Sequence, residues 1–126
     1  MRYILLIYSQ EDEGATAEDL GAVAAGHRTV MEETSRRGLF RAADPLEPTA
    51  TATTVRVKDG AVLVTDGPFA ETKEQLAGYY ILDCQDLDEA LAWAAKIPTG
   101  CRGEAGCVEV RPIREIRRPI HAESLT

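Results

Sequence analysis

A chain of 126 residues holds about one domain, and 44% hydrophobic with 28% charged residues is the make-up of an ordinary soluble globular protein with one core. Its net charge of −7, with no long Lys/Arg cluster to neutralise a phosphate backbone, argues against direct binding of nucleic acid. Cys84, Cys101 and Cys107 are odd in number and lack C-x-x-C spacing, so reduced thiols are expected rather than a disulfide framework or a zinc site.

The first apolar run, Tyr3 to Tyr8, ends in the polar stretch Ser9 to Glu13. It is too short for a signal peptide or a membrane helix, which needs about 20 apolar residues, so a cytoplasmic protein without membrane contact is expected. As a strand it places Tyr3, Leu5 and Ile7 on one face and Ile4, Leu6 and Tyr8 on the other, both apolar. Thr16 and Asp19 fit a capping box, and Leu20, Val23, Ala24, Val30 and Met31 recur at helical spacing, with His27 inside the stripe. Arg36, Arg37 and Gly38 supply the C-terminal signals, so the helix spans about Thr16 to Arg37.

Leu39 and Phe40 lead into a segment broken by Asp44-Pro45 and Glu47-Pro48, which reads as a short strand or an extended loop. Thr53 to Lys58 and Ala61 to Val64 flank Asp59-Gly60, the signature of a hairpin with a type I′ turn. Tyr79 to Cys84 is a further strand. Asp86 caps a second helix, with Leu87, Ala90, Leu91, Ala94 and Ile97 as its buried stripe and Pro98 as its stop. A loop from Thr99 to Gly106 precedes a last strand, Cys107 to Ile113, and the polar residues from Arg114 onward read as a mobile tail.

The order β-α-β-β-β-α-β predicts an α+β fold, an antiparallel ferredoxin-like sheet with an added strand and two helices on one face. Two helices leave the other face of the sheet bare, although the first strand is apolar on that side as well. A second copy of the chain is the simplest cover, so a homodimer with sheets packed face to face is expected.

Between two of these strands lies Asp66-Gly67-Pro68-Phe69. Gly-Pro defines a turn, and loops held by rigid strands are where ligand-contacting side chains gather. Asp66 stands at a strand end, where its carboxylate either faces a cleft or simply accepts hydrogen bonds from the turn.

The runs Thr51 to Gly60 and Val64 to Leu76, with Asp86-Leu87-Asp88-Glu89-Ala90 and Val108 to Ile113, resemble the DGPF branch of the YCII-related domain family over residues 1 to about 116, leaving 117–126 as a polar tail. The resemblance implies a dimeric α/β barrel. It also implies a cleft with a His/Asp pair, which would be His27 and Asp66, and an association with extracytoplasmic-function sigma factors.

A carboxylate beside an imidazole favours the charged ring, raises its pKa and orients it for acid–base work. A lone histidine on an apolar helix face is equally the pattern of a hydrogen-bonded core residue. Gly67, Pro68, Phe69 and Tyr79 are candidates for ligand contact, with Tyr8 and Tyr80 as further donors, and Arg111 is a candidate anion site. No paired metal-ligand spacing accompanies His27, Asp66 and Glu71, so neither a metal nor another cofactor is expected. His121 reads as a bystander, and Cys101 beside Arg102 is the one thiol with a basic neighbour. These residues support two readings, without deciding whether the chain is an enzyme. One is a homodimer that binds or transforms a small molecule; the other is a regulatory module acting on a partner protein such as a sigma factor.

Overall fold

The computed structural model describes residues 1–11, 13–100 and 106–119. The chain forms β1 (Arg2–Ser9), α1 (Ala17–Arg36), β2 (Phe40–Pro45), a 3-10 turn (Thr49–Thr51), β3 (Thr53–Lys58), β4 (Ala61–Asp66), β5 (Gln75–Asp83), α2 (Leu87–Ala94) and β6 (Gly106–Pro112). Four strands make one antiparallel sheet in the order β2-β5-β1-β6, while β3 and β4 pair only with each other. Removing β3 and β4 leaves a β-α-β-β-α-β chain in the strand order of a ferredoxin-like fold. The hairpin is therefore a ribbon inserted between two neighbouring strands.

That corrects the expected strand inventory. The segment after α1 is a full strand despite its prolines, because Pro45 closes β2 at the sheet edge, where a missing N–H costs least. The polar segment after Ile113 is also not loose at its start. Ile113 donates to the Arg2 carbonyl at 2.9 Å, and the Arg2 guanidinium grips Glu115 through two hydrogen bonds of 3.0 and 3.1 Å. The remaining expectations for Cys101, Arg102, His121 and the tail beyond residue 119 lie outside the described residues.

Local chemistry explains the elements. Asp19 N–H donates to Thr16 Oγ1 at 3.1 Å while Thr16 N–H donates to the Asp19 carboxylate at 2.9 Å, closing the capping box of α1. Asp59 at φ 51° and Gly60 at φ 78° make the two left-handed turn positions that bring β3 back as β4. The core lies between the helices and one face of the sheet, built from Tyr3, Leu5, Ile7, Tyr80 and Leu82 with Val30, Ala90, Trp93 and Ile97. Leu5 and Leu82 are fully buried, each contributing roughly 1.5–3 kcal/mol of transfer free energy.

Both expected stripes are met in part: Val30, Ala90 and Ile97 are buried, but Leu20, Leu87 and Leu91 are exposed, and Thr34 and Trp93 take inward positions outside the expected stripes. Trp93 carries the largest apolar surface of α2 and takes the inward position. The guanidinium of Arg37 lies 5.4 Å from its ring centre and the Lys96 ammonium 4.6 Å.

The second sheet face is open. Register places Ile4, Ile81, Ala42 and Arg111 in one row and Leu6, Tyr79, Asp44 and Glu109 in the next, with no helix above them. The ribbon is one-sided as well. Val55 faces Val64 and Val57 faces Val62, so four valines, each at least 60% exposed, share one face.

Candidate functional site

The candidate residues fall into three places rather than one. His27, on the inward side of α1, is half-buried against β5: its Nδ1 lies 2.9 Å from the Tyr80 hydroxyl, which also reaches the His27 carbonyl at 3.3 Å. With the ring proton on Nδ1, the imidazole donates to Tyr80 Oη and the Tyr80 hydroxyl donates to the carbonyl, so both groups are satisfied. Burial lowers the His27 pKa from 6.5 and pushes Tyr80 up to about 12, so both are held neutral.

The expected His27–Asp66 pair is replaced by this His27–Tyr80 pair. Asp66 is exposed at the end of β4, opposite Thr53 on the ribbon, and among the described residues no hydrogen bond or ion pair joins it to His27. The reason is topological. Tyr80 alternates onto the helix-facing side of the central sheet, whereas Asp66 belongs to a ribbon that leaves that sheet.

The loop beyond Asp66 lines a cleft. Gly67 has φ 98°, a conformation that suits glycine, and its N–H donates to the Ala52 carbonyl at 2.7 Å. Its own carbonyl accepts from Thr54 Oγ1 at 2.8 Å. These bonds tie the loop to the start of β3 and turn Pro68 and Phe69 towards a cleft of about 560 Å³. The opposite wall is the segment from Leu46 to Thr54, and the floor is Tyr8 with Leu76, at the end of the central sheet.

A hydrogen-bonded frame holds that wall. The Glu11 carboxylate accepts from Thr49 N–H at 2.7 Å and Thr49 Oγ1 at 3.0 Å, fixing the 3-10 turn. Thr51 Oγ1 donates back to the Pro48 carbonyl at 2.7 Å. Sequence reading had no purchase on this wall, since its only local signals were Glu47-Pro48 and a run of threonines.

Tyr79 and Arg111 sit elsewhere, on the open sheet face. Tyr79 donates to Asp44 at 2.7 Å, and Arg111 stands exposed opposite Ile4. Cys84 is buried and its thiol is pushed up to about 11, first by burial and then by nearby carboxylates, which leaves it a poor nucleophile. Among the described residues no cluster of three or more His, Cys, Asp or Glu is arranged to hold a metal ion, and no helix is long and apolar enough to cross a membrane.

Comparison by sequence identifies the family of this two-helix α+β chain. Residues 1–117 match the YCII-related domain family. The chain belongs to that family. It is 41% identical over 106 residues to the uncharacterized protein R00369 of Rhizobium meliloti (strain 1021), covering 84% of this chain and 79% of that one.

Proposed function

We propose that this YCII-related domain binds a small organic molecule in the cleft between the Leu46–Thr54 wall and the Pro68–Leu76 segment. The observation that carries the reading is the posture of Pro68 and Phe69. Phe69 is 79% exposed although it is a large apolar ring, and it stands at the edge of a cavity of about 560 Å³, within the range of small-molecule sites. The bonds to Gly67 hold the loop in place before any ligand arrives, which reduces the ordering cost of binding. His27 and Tyr80 serve as a structural pair in this reading, and Gly67 positions the loop. Chemical-shift mapping with a mixture of aromatic fragments tests it. Amides of residues 47–54 and 68–76 shift together if the cleft is the site, and shifts confined to other surfaces overturn it.

A second observation favours a homodimer. The four-valine face of the ribbon and the bare sheet face, with Ile4, Leu6 and Ile81 on its central strands and Asp44, Arg111 and Glu109 on its edge strands, are both uncovered in one chain, and a second copy supplies an identical surface for each. Light scattering is expected to give twice the 13.7 kDa chain mass. The variant Val57→Lys with Val62→Lys is expected to shift the population towards monomer, because a dry interface does not accommodate four unpaired ammonium groups. A wild-type monomer at micromolar concentration overturns the dimer.

A further inference from the structure

Most polar side chains of the cleft point one way chemically. Of its threonines, Thr49, Thr51, Thr54 and Thr72 each spend their hydroxyl proton within the protein: on Glu11 at 3.0 Å, on the Pro48 carbonyl at 2.7 Å, on the Gly67 carbonyl at 2.8 Å and on the Glu74 carbonyl at 2.6 Å. Gln75 Nε2 likewise donates to the Thr72 carbonyl at 2.7 Å. A hydroxyl that has donated its proton retains only lone pairs for a ligand. Tyr8 and Thr53 make no hydroxyl hydrogen bond among the described residues, and their hydroxyls suit either kind of partner.

The charges agree. The ionisable side chains among the described lining residues are Glu47, Glu74 and Tyr8, and no Lys, Arg or His lines the cleft. Neither glutamate forms an ion pair or a side-chain hydrogen bond among the described residues. Phe69 and Tyr8 add aromatic faces, whose quadrupoles attract cations, and Leu46 and Leu76 add apolar surface. An anionic ligand would meet acceptors and two carboxylates. A cation with an apolar body meets the partners it needs, and the net charge of −7 draws it in.

We propose that the cleft selects organic cations, an apolar or aromatic body carrying an ammonium or amidinium group, with Glu47 and Glu74 as the charge-selecting residues. This rests on the cleft being the ligand site, and the test separates the two claims. Three probes of one shape, 1-naphthylmethylammonium, 1-naphthylmethanol and 1-naphthoate, are titrated at pH 7 into the full chain while the amides of residues 47–54 and 68–76 are followed by NMR. The ammonium is expected to bind roughly threefold to tenfold more tightly than the alcohol, as two partly exposed ion pairs allow, and the carboxylate weakest. In Glu47→Gln with Glu74→Gln the ratio of ammonium to alcohol affinity is expected to fall to about one. Both side chains are free of structural bonds, so the variant keeps the wild-type spectrum elsewhere. If alcohol and ammonium bind equally, or if the preference survives in the double variant, charge selection is overturned and the cleft remains the site. If none of the three moves the cleft amides, both claims fall.

Discussion

The layer between α1 and the sheet and the cleft beneath the ribbon both set hydroxyl groups among apolar side chains, and they use them in opposite ways. In the layer, His27 and Tyr80 satisfy each other within 2.9 Å and both stay neutral. In the cleft, Thr49, Thr51 and Thr54 donate their hydroxyl protons to the protein and keep only acceptor capacity. A closed polar circuit fixes a packing arrangement; a half-used one leaves capacity for a ligand. The motif-bearing loop belongs to the second region and the sole described histidine to the first. No hydrogen bond or ion pair among the described residues joins His27 to Asp66.

Stability separates the regions most sharply. Leu82→Ala removes a side chain that is fully buried under the helices and is expected to cost about 2–5 kcal/mol, measured by urea denaturation. Phe69→Ala removes a larger side chain that is 79% exposed, and is expected to cost under about 0.5 kcal/mol while weakening the naphthyl probes severalfold. Equal stability losses would mean that the cleft is part of the core.

Next in size is the His27–Tyr80 pair. Tyr80→Phe keeps the ring but leaves the His27 imidazole without its partner, at a cost of about 1–2 kcal/mol. The pair also predicts the sign of a pH effect. Burial lowers the folded-state pKa of His27 below 6.5, so the unfolded chain takes up the proton first as pH falls. The His27 contribution is therefore fully present above the unfolded value and is lost as pH drops through the window beneath it. Thermal unfolding at pH 7.5 and 5.5 is expected to show a lower midpoint at the acid end, and His27→Gln is expected to shrink that difference. Glu115, held below its ordinary 4.5 by its bonds to Arg2, acts only at more acid pH.

These regions differed in how far the sequence disclosed them. The capping box at Thr16, the Asp59-Gly60 turn and the strand β1 were legible because each is a local signal. Strand β2 was half-hidden by Pro45 and Pro48, and β5 begins at Gln75 rather than Tyr79, since Gly78 interrupts the apolar run there. Trp93 was overlooked because the leucine spacing at 87 and 91 also fits a helix, and only packing against the sheet decides between the faces. The separation of the ribbon from the main sheet was not legible at all: alternation looks the same in a paired hairpin whether or not a third strand joins it. The partner of His27 was hidden for a related reason. It depends on how α1 lies over β5, a contact between residues 53 apart in the chain.

The smallest expected effect is the most discriminating between one shared site and two regions. Asp66→Asn removes one exposed charge at the end of β4, and the His27 ring is engaged by Tyr80 instead. A carboxylate within hydrogen-bond reach would favour the imidazolium and hold the pKa of the ring up by roughly one unit or more. Burial of the ring acts the other way and lowers the His27 pKa. An exposed carboxylate outside hydrogen-bond reach is screened by water and salt. The NMR titration midpoint of His27 is therefore expected to coincide in wild type and Asp66→Asn, with the Phe69 region alone changing its amide shifts. A fall of about one unit in the variant would join Asp66 to the imidazole, return His27 to the chemistry and make the cleft only one half of a larger site. A coincident midpoint assigns the histidine to the packing of α1 on β5 and leaves recognition to the loop.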